Sequence, residues 1–274
     1  MAAPTDQQRL AGYIDVWWRA VDDFTSLLEE VPAEEWSTPT DLAGWDVRAV
    51  ASHTAHLESI LAGAPEESAE VGEPAHVTGL MGLYTEIGVV NRRESSPDEI
   101  INEIRSVTTA RHTALLADPP TDASAKPEVI FGGVPWDWGT LLRNRPFDVW
   151  MHEQDVRRAV GRPGNMDTPP AQHTADYFIE GFGYVLAKKA GVPAGTTAVL
   201  AVDGSTPAAY TVNDIGRGEP LAEFPTDPDV TLRMNRESLI VLAGGRRAAA
   251  AGAVTIEGDE ELGRRIIDSM ATTP

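Results

Sequence analysis

The sequence predicts an α+β protein of two domains, with a helical bundle over residues 1–165 and a smaller mixed α/β domain over residues 166–274. Two observations predict it. Apolar residues recur at the 3–4 spacing of a helix through the first 160 positions, between recognisable caps. After Arg162-Pro163-Gly164 the pattern changes to short β-branched runs separated by turn residues. A chain of 274 residues is long enough for two cores.

The elements follow in order. From Asp6 to about Glu30, Ile14, Trp17, Trp18, Val21, Phe24, Leu27 and Leu28 make one apolar stripe, which Pro32 and the turn-rich Trp36–Trp45 stretch end. Asp46 is a good N-cap for a second helix to about Ala62, with Val50, His53, Leu57 and Ile60 on one face. Residues 63–79 read as a loop and Leu80–Val90 as a short apolar stretch. Ser96-Pro97-Asp98-Glu99 starts a helix by capping box, with Pro97 at its first position, running to about Leu116. A proline-containing loop, 118–136, leads to a helix from about Asp137 to Val160, stopped by Gly161. In the second half, 171–190 reads as one helix ending at Gly191. Thr197–Val202, Ala209–Val212, Val230–Met234 and Ala253–Ile256 read as strands, and Glu237–Ala243 and Glu260–Met270 as helices.

Composition narrows the function. With 42 acidic against 22 basic side chains the net charge is −20, which would repel phosphate backbones and anionic membranes. No nucleic-acid or membrane partner is expected. The chain has no cysteine, so disulfides, thiolate ligands and a cysteine nucleophile are all excluded. The first ten residues have neither the basic nor the apolar region of a signal peptide, and no apolar run approaches ~18 residues. A cytoplasmic protein, monomeric or weakly dimeric, acting on small molecules is expected.

The segment that carries chemistry is Arg145-Pro-Phe-Asp-Val-Trp-Met-His-Glu-Gln-Asp-Val-Arg-Arg-Ala-Val-Gly161. Asp148 and His152 stand four apart, so on a helix both can reach one ion. Asp155 extends the same face, where it could orient an imidazole or bind directly. His53, on the inward face of the second helix, is the expected third ligand, ahead of His56. Three N/O ligands leave a coordination position open, as catalytic zinc requires. Against this, an isolated Asp-x-x-x-His pair and a single inward histidine are common without a metal. His76, His112 and His173 read as surface residues on loops or polar faces, and Trp45, Trp136, Trp138 and Trp150 as core or pocket wall. His152-Glu153-Gln154-Asp155 lacks the second histidine of a zincin motif. Phe131-Gly-Gly-Val134 and Gly244-Gly-Arg-Arg247 lack the lysine and glycine spacing of phosphate loops.

Two segments bring a resemblance. Thr40-Asp-Leu-Ala-Gly-Trp-Asp-Val-Arg-Ala-Val-Ala-Ser-His53 and the Arg145–Gly161 segment resemble the two N-terminal motifs of mycothiol-dependent maleylpyruvate isomerase-like proteins. Leu242-Ala-Gly-Gly-Arg246 and Ile256-Glu-Gly-Asp259 resemble their C-terminal domain, which is similar to sterol-carrier-like folds. The resemblance implies a DinB-like four-helix bundle with a divalent metal, usually zinc, on His53, Asp148 and His152. The enzyme that names the family has Glu where this chain has the shorter Asp148. The resemblance places the catalytic arginine at Arg246, with Arg247 adjacent, to hold a substrate carboxylate. It implies mycothiol as an external thiol that attacks a small electrophile, in an isomerase or an S-transferase. Asp155 or Glu153 would relay a proton, with Glu153 expected to face solvent. The alternatives are a metal-dependent hydrolase on the same scaffold, using water in place of the thiol, and a non-catalytic small-molecule-binding protein.

Overall fold

A computed structural model describes residues 3–273 and has the expected α+β architecture, in two compact units, Met1–Gly164 and Asn165–Pro274.

The first unit is built on four long helices. Helix α1 (Asp6–Glu30) starts at a capping box in which Thr5 and Gln8 satisfy each other's backbone N–H groups. Its buried stripe, including Leu10, Ile14, Trp17, Val21, Phe24 and Leu28, packs on α4 (Pro97–Ala117) and α5 (Trp138–Ala159). Helix α2 (Val47–Leu61) is capped by Asp46, which accepts from the Ala49 N–H. Every α2 residue except Arg48 is buried, so α2 is the central helix, with α3 (Gly79–Asn91), α4 and α5 against it. The capping box at Ser96 and Glu99 starts α4. Asp137 caps α5, and Gly161 follows that helix at φ 64°, a conformation glycine adopts without strain.

The apolar stretch at Leu80–Val90 proves to be part of a helix, α3 (Gly79–Asn91). It has almost no amphipathic signal because its polarity is inverted. Glu86 is buried, while Leu80, Met81 and Leu83 are exposed.

The second unit carries a five-stranded mixed sheet in the order β3-β2-β1-β4-β5. Strands β1 (Thr197–Val202) and β4 (Val230–Met234) run parallel at its centre, with Leu200 opposite Leu232. Strands β2 (Ala208–Val212), β3 (Gly218–Pro220) and β5 (Val254–Gly258) pair antiparallel to their neighbours. Helices α8 (Arg236–Ala243) and α9 (Glu260–Asp268) are capped by Asn235 and Asp259. The helix expected over 171–190 is interrupted. Helix α6 (Pro169–Glu180) ends at Gly181, and a short turn, α7 (Phe182–Tyr184), continues into a π-turn over Val185–Lys189. There Gly218 of β3 packs so closely on the Gly183 backbone that it has no room for a side chain. Among the described residues no helix is long and apolar enough to cross a membrane.

Candidate metal centre

Helices α2 and α5 bring three side chains together inside the first unit. A ligand atom from each of His53, Asp148 and His152 lies within 4.8 Å of the other two. His53 Nε2 is 3.7 Å from Asp148 Oδ2, and His152 Nε2 is 3.7 Å from Asp148 Oδ1. The i, i+4 spacing on α5 sets the second distance, and the burial of α2 on all sides sets the first, since His53 has nowhere to turn but inward.

This donor set suits a divalent cation. Tetrahedral zinc with ligands at ~2.0–2.1 Å separates neighbouring donor atoms by ~3.3 Å, close to the spacing found. Burial pushes the His53 imidazole down to about 4, so it is neutral at neutral pH and offers a lone pair. Burial works against ionisation of Asp148, but Arg145, with His152 and His53, overrides it and holds the carboxyl well below the usual range. His53 Nδ1 is buried with no hydrogen-bond partner. Two neutral-capable imidazoles and a held carboxylate are the ligand types zinc takes in open, catalytic sites.

Each candidate ligand on α5 is backed by a charged side chain. His152 Nδ1 lies 3.2 Å from Asp155 Oδ2, and because a carboxylate only accepts, Nδ1 is the donor, an arrangement that in the neutral ring puts the lone pair on Nε2. Asp155 is fully buried, and Arg158 donates to it at 2.5 Å and to Asp41 at 2.7 Å. Its carboxylate therefore stands behind His152, where it orients the imidazole and does not converge with the three ligands. Asp148 receives Arg145 at 3.0 Å, and Arg145 also donates to Glu58 at 2.9 Å. Glu58 further accepts from Arg111 at 2.8 Å and from Trp17 at 3.1 Å. Glu58 and Arg145 are both 0% exposed.

Trp45 forms a wall of the centre, its ring 5.0 Å from that of His53 and 6.1 Å from that of His152. Its indole N–H donates to Glu86 on α3 at 2.9 Å.

Other expectations meet different outcomes. Glu153 does not face solvent. It is fully buried and receives Arg157 at 2.6 Å, because α5 is enclosed on that side too. His56 is also buried, but turned toward Tyr84, 5.3 Å between rings, and stays outside the cluster. His76, expected at the surface, is half-buried and within 3.2 Å of Glu86. His112 stacks on Trp18 at 4.3 Å, and His173 is half-buried on α6. Trp150 is core, while Trp136 and Trp138 are partly buried and pack on the cluster of Leu57, Ile60, Leu61, Phe131 and Leu141. In the second unit Arg246 donates to Gly244 O at 2.6 Å and Thr273 Oγ1 at 3.2 Å, and exposed Arg247 lies 3.5 Å from Glu237. Sequence reasoning missed Glu58, Arg111 and Arg145. The available signal was a lone carboxylate, Glu58, in the otherwise apolar end of α2.

The family model described as mycothiol maleylpyruvate isomerase N-terminal domain matches residues 17–157, and the one described as MDMPI C-terminal domain matches residues 172–265. An uncharacterized protein of Mycobacterium tuberculosis, found in two strains, is 26% identical over 168 residues. That match covers 57% of this chain and 62% of the relative, so it spans less than two thirds of the relative's length. Crystal structures of the mycothiol-dependent maleylpyruvate isomerase and of a histidine-to-alanine mutant of it superpose with TM-scores of 0.53 and 0.54. They cover 90% of this chain and 92% of theirs at 17% identity, which shows a common fold.

Proposed function

The chain belongs to the mycothiol maleylpyruvate isomerase family, and on that premise we propose that it is a mycothiol-dependent metalloenzyme, an isomerase or an S-transferase, acting on a small electrophile. The observation that carries this reading is the convergence of His53, Asp148 and His152 in a chain that has no cysteine of its own. When bound there, a divalent cation, zinc by preference, lowers the pKa of a neighbouring thiol and so makes thiolate available at neutral pH.

The chain's own residues do the rest. His53, Asp148 and His152 hold the ion. Asp155 fixes the His152 tautomer, which is a positioning task. Trp45 walls the centre beside His53 and His152. Arg246 is assigned the carboxylate of the substrate, a group its planar fork matches. In an isomerase the thiolate sulfur adds to one carbon of a conjugated cis double bond and the π pair moves onto the conjugated carbonyl as an enolate. The carbon–carbon bond, now single, rotates, and collapse of the enolate re-forms the double bond and expels the thiolate. In a transferase the S–C bond persists.

The test combines metal analysis with activity. Purified wild type is expected to carry one equivalent of divalent metal, and His53→Ala and His152→Ala far less. Turnover of conjugated cis-dienoic acids and other small electrophiles is expected only with mycothiol present. Full metal in both variants would remove the site. Ester or amide hydrolysis indifferent to mycothiol would replace the reading with the hydrolase.

A further inference from the structure

The Asp148 carboxylate is held by a buried cation, which is an awkward neighbour for a metal site. Arg145 lies within 3.0 Å of Asp148 Oδ2 and is 0% exposed, so water does little to screen its charge. An unbalanced guanidinium at that place would repel a divalent ion and draw electron density from the ligand oxygen. Glu58 removes the difficulty. It receives Arg145 Nε at 2.9 Å and is itself fully buried. Its two oxygens are shared among Arg145, Arg111 and Trp17, which fix it from three directions. The four charges of this chain, Arg111, Glu58, Arg145 and Asp148, alternate in sign and sum to zero.

We propose that Glu58 and Arg145 are positioning residues of the metal centre, in which Arg145 sets the rotation of the Asp148 carboxylate and Glu58 anchors Arg145 and cancels its charge. The inference rests on the metal reading above and adds to it residues that do not touch the ion. Neither residue could be assigned by its place on α2 or α5 alone, since Glu58 and Arg145 are 87 positions apart.

The test is metal affinity of the apo full-length chain, measured with Zn(II) against a chromophoric chelator, and the absorption spectrum of the Co(II)-loaded protein. Glu58→Gln keeps the shape and leaves Arg145 and Arg111 short of a counter-charge. It is expected to weaken zinc binding by about 10–100-fold, the range found when groups behind metal ligands are removed. Arg145→Lys keeps the charge but cannot bridge two carboxylates with one planar group, and it is expected to weaken binding about 10-fold. Both should shift the Co(II) ligand-field bands at saturation, which a loss of stability alone would not do. If Glu58→Gln does not fold, Arg145→Lys decides. Wild-type affinity and an unshifted spectrum in a folded variant would overturn the relay while leaving the metal site standing. A wild-type chain that binds no metal would overturn both, with His152→Ala as the reference for an abolished site.

Discussion

Replacing Asp155 by Asn tests the orientation of His152 with almost no change in volume. In the native protein the carboxylate compels the proton onto Nδ1, 3.2 Å away, and leaves Nε2 facing Asp148. An asparagine amide can turn its NH2 toward Nδ1, which then becomes the acceptor and moves the proton to Nε2. That nitrogen would no longer have a lone pair to give. Losses behind a ligand run to about 10–100-fold in metal affinity, or about 1.4–2.7 kcal/mol. Arg158, which donates to Asp155 at 2.5 Å, also loses a charged acceptor, and hydrogen bonds to charged groups are worth about 1.5–3 kcal/mol. The assay is thermal or urea unfolding with and without zinc. At a free concentration of about 1,000 times Kd, zinc stabilises the native state by about 4.1 kcal/mol, and a 100-fold weaker site under the same conditions leaves about 1.4 kcal/mol. The apo variant is expected to be less stable than apo wild type, and the zinc-induced increment is expected to shrink as well. An increment equal to that of wild type would refute the tautomer argument, whatever happened to apo stability.

Three more outcomes follow from other parts of the fold. Burial opposes ionisation of Glu58, and Arg145 and Arg111 more than offset it, so its carboxyl lies below the ordinary range. A depressed carboxyl contributes stability that is present above its unfolded value of ~4.3 and lost as pH falls through the folded value. Acid unfolding of the metal-free chain should therefore steepen below about pH 4.3, and a Glu58→Gln chain followed by circular dichroism should show a shallower acid limb. Trp45→Phe keeps a ring beside His53 and removes the donor to Glu86, so stability should fall by about 1–2 kcal/mol with metal stoichiometry unchanged, as read by urea unfolding and metal analysis. A Cβ on Gly218 would lie 2.0 Å from the Gly183 carbonyl oxygen, backbone against backbone, so Gly218→Ala should cost about 3 kcal/mol in urea unfolding.

The parts of the molecule legible in the sequence are those set by local rules. The capping residues Asp46 and Ser96 mark where helices begin, and Gly161 marks an end, because each satisfies or relaxes its own stretch of backbone. The i, i+4 pair on α5 is local in the same sense. What failed was set by neighbours remote in sequence. Helix α3 gives no period because its one buried acid, Glu86, answers to Trp45, 41 residues back. Strand β3 is three residues long and contains Gly and Pro, so nothing in its composition speaks for a strand until β2 pairs with it. Glu153 looked solvated because glutamate usually is, and is buried because Arg157 one turn on accompanies it inward.

Stability alone does not explain why a helical bundle encloses this much charge. A buried ion pair gains little over an apolar pair of the same volume, and replacing one by packed hydrophobic residues is often neutral or stabilising by about 1–4 kcal/mol. Leucines at Glu58, Arg111 and Arg145 would fill the same space between α2, α4 and α5 without desolvating anything. Instead the bundle holds two chains of alternating charge, the buried Arg111–Glu58–Arg145 and a second that runs from partly exposed Asp41 and Arg158 in to buried Asp155. Both have their inner end on α5, one at Asp148 and the other at His152. A network retained for folding would have no reason to end on two side chains that already face a third across 3.7 to 4.8 Å. On the proposed reading, the charge serves to hold those side chains still. The ligand without such a chain, His53, lies on the helix that is enclosed on every side and is held by packing instead.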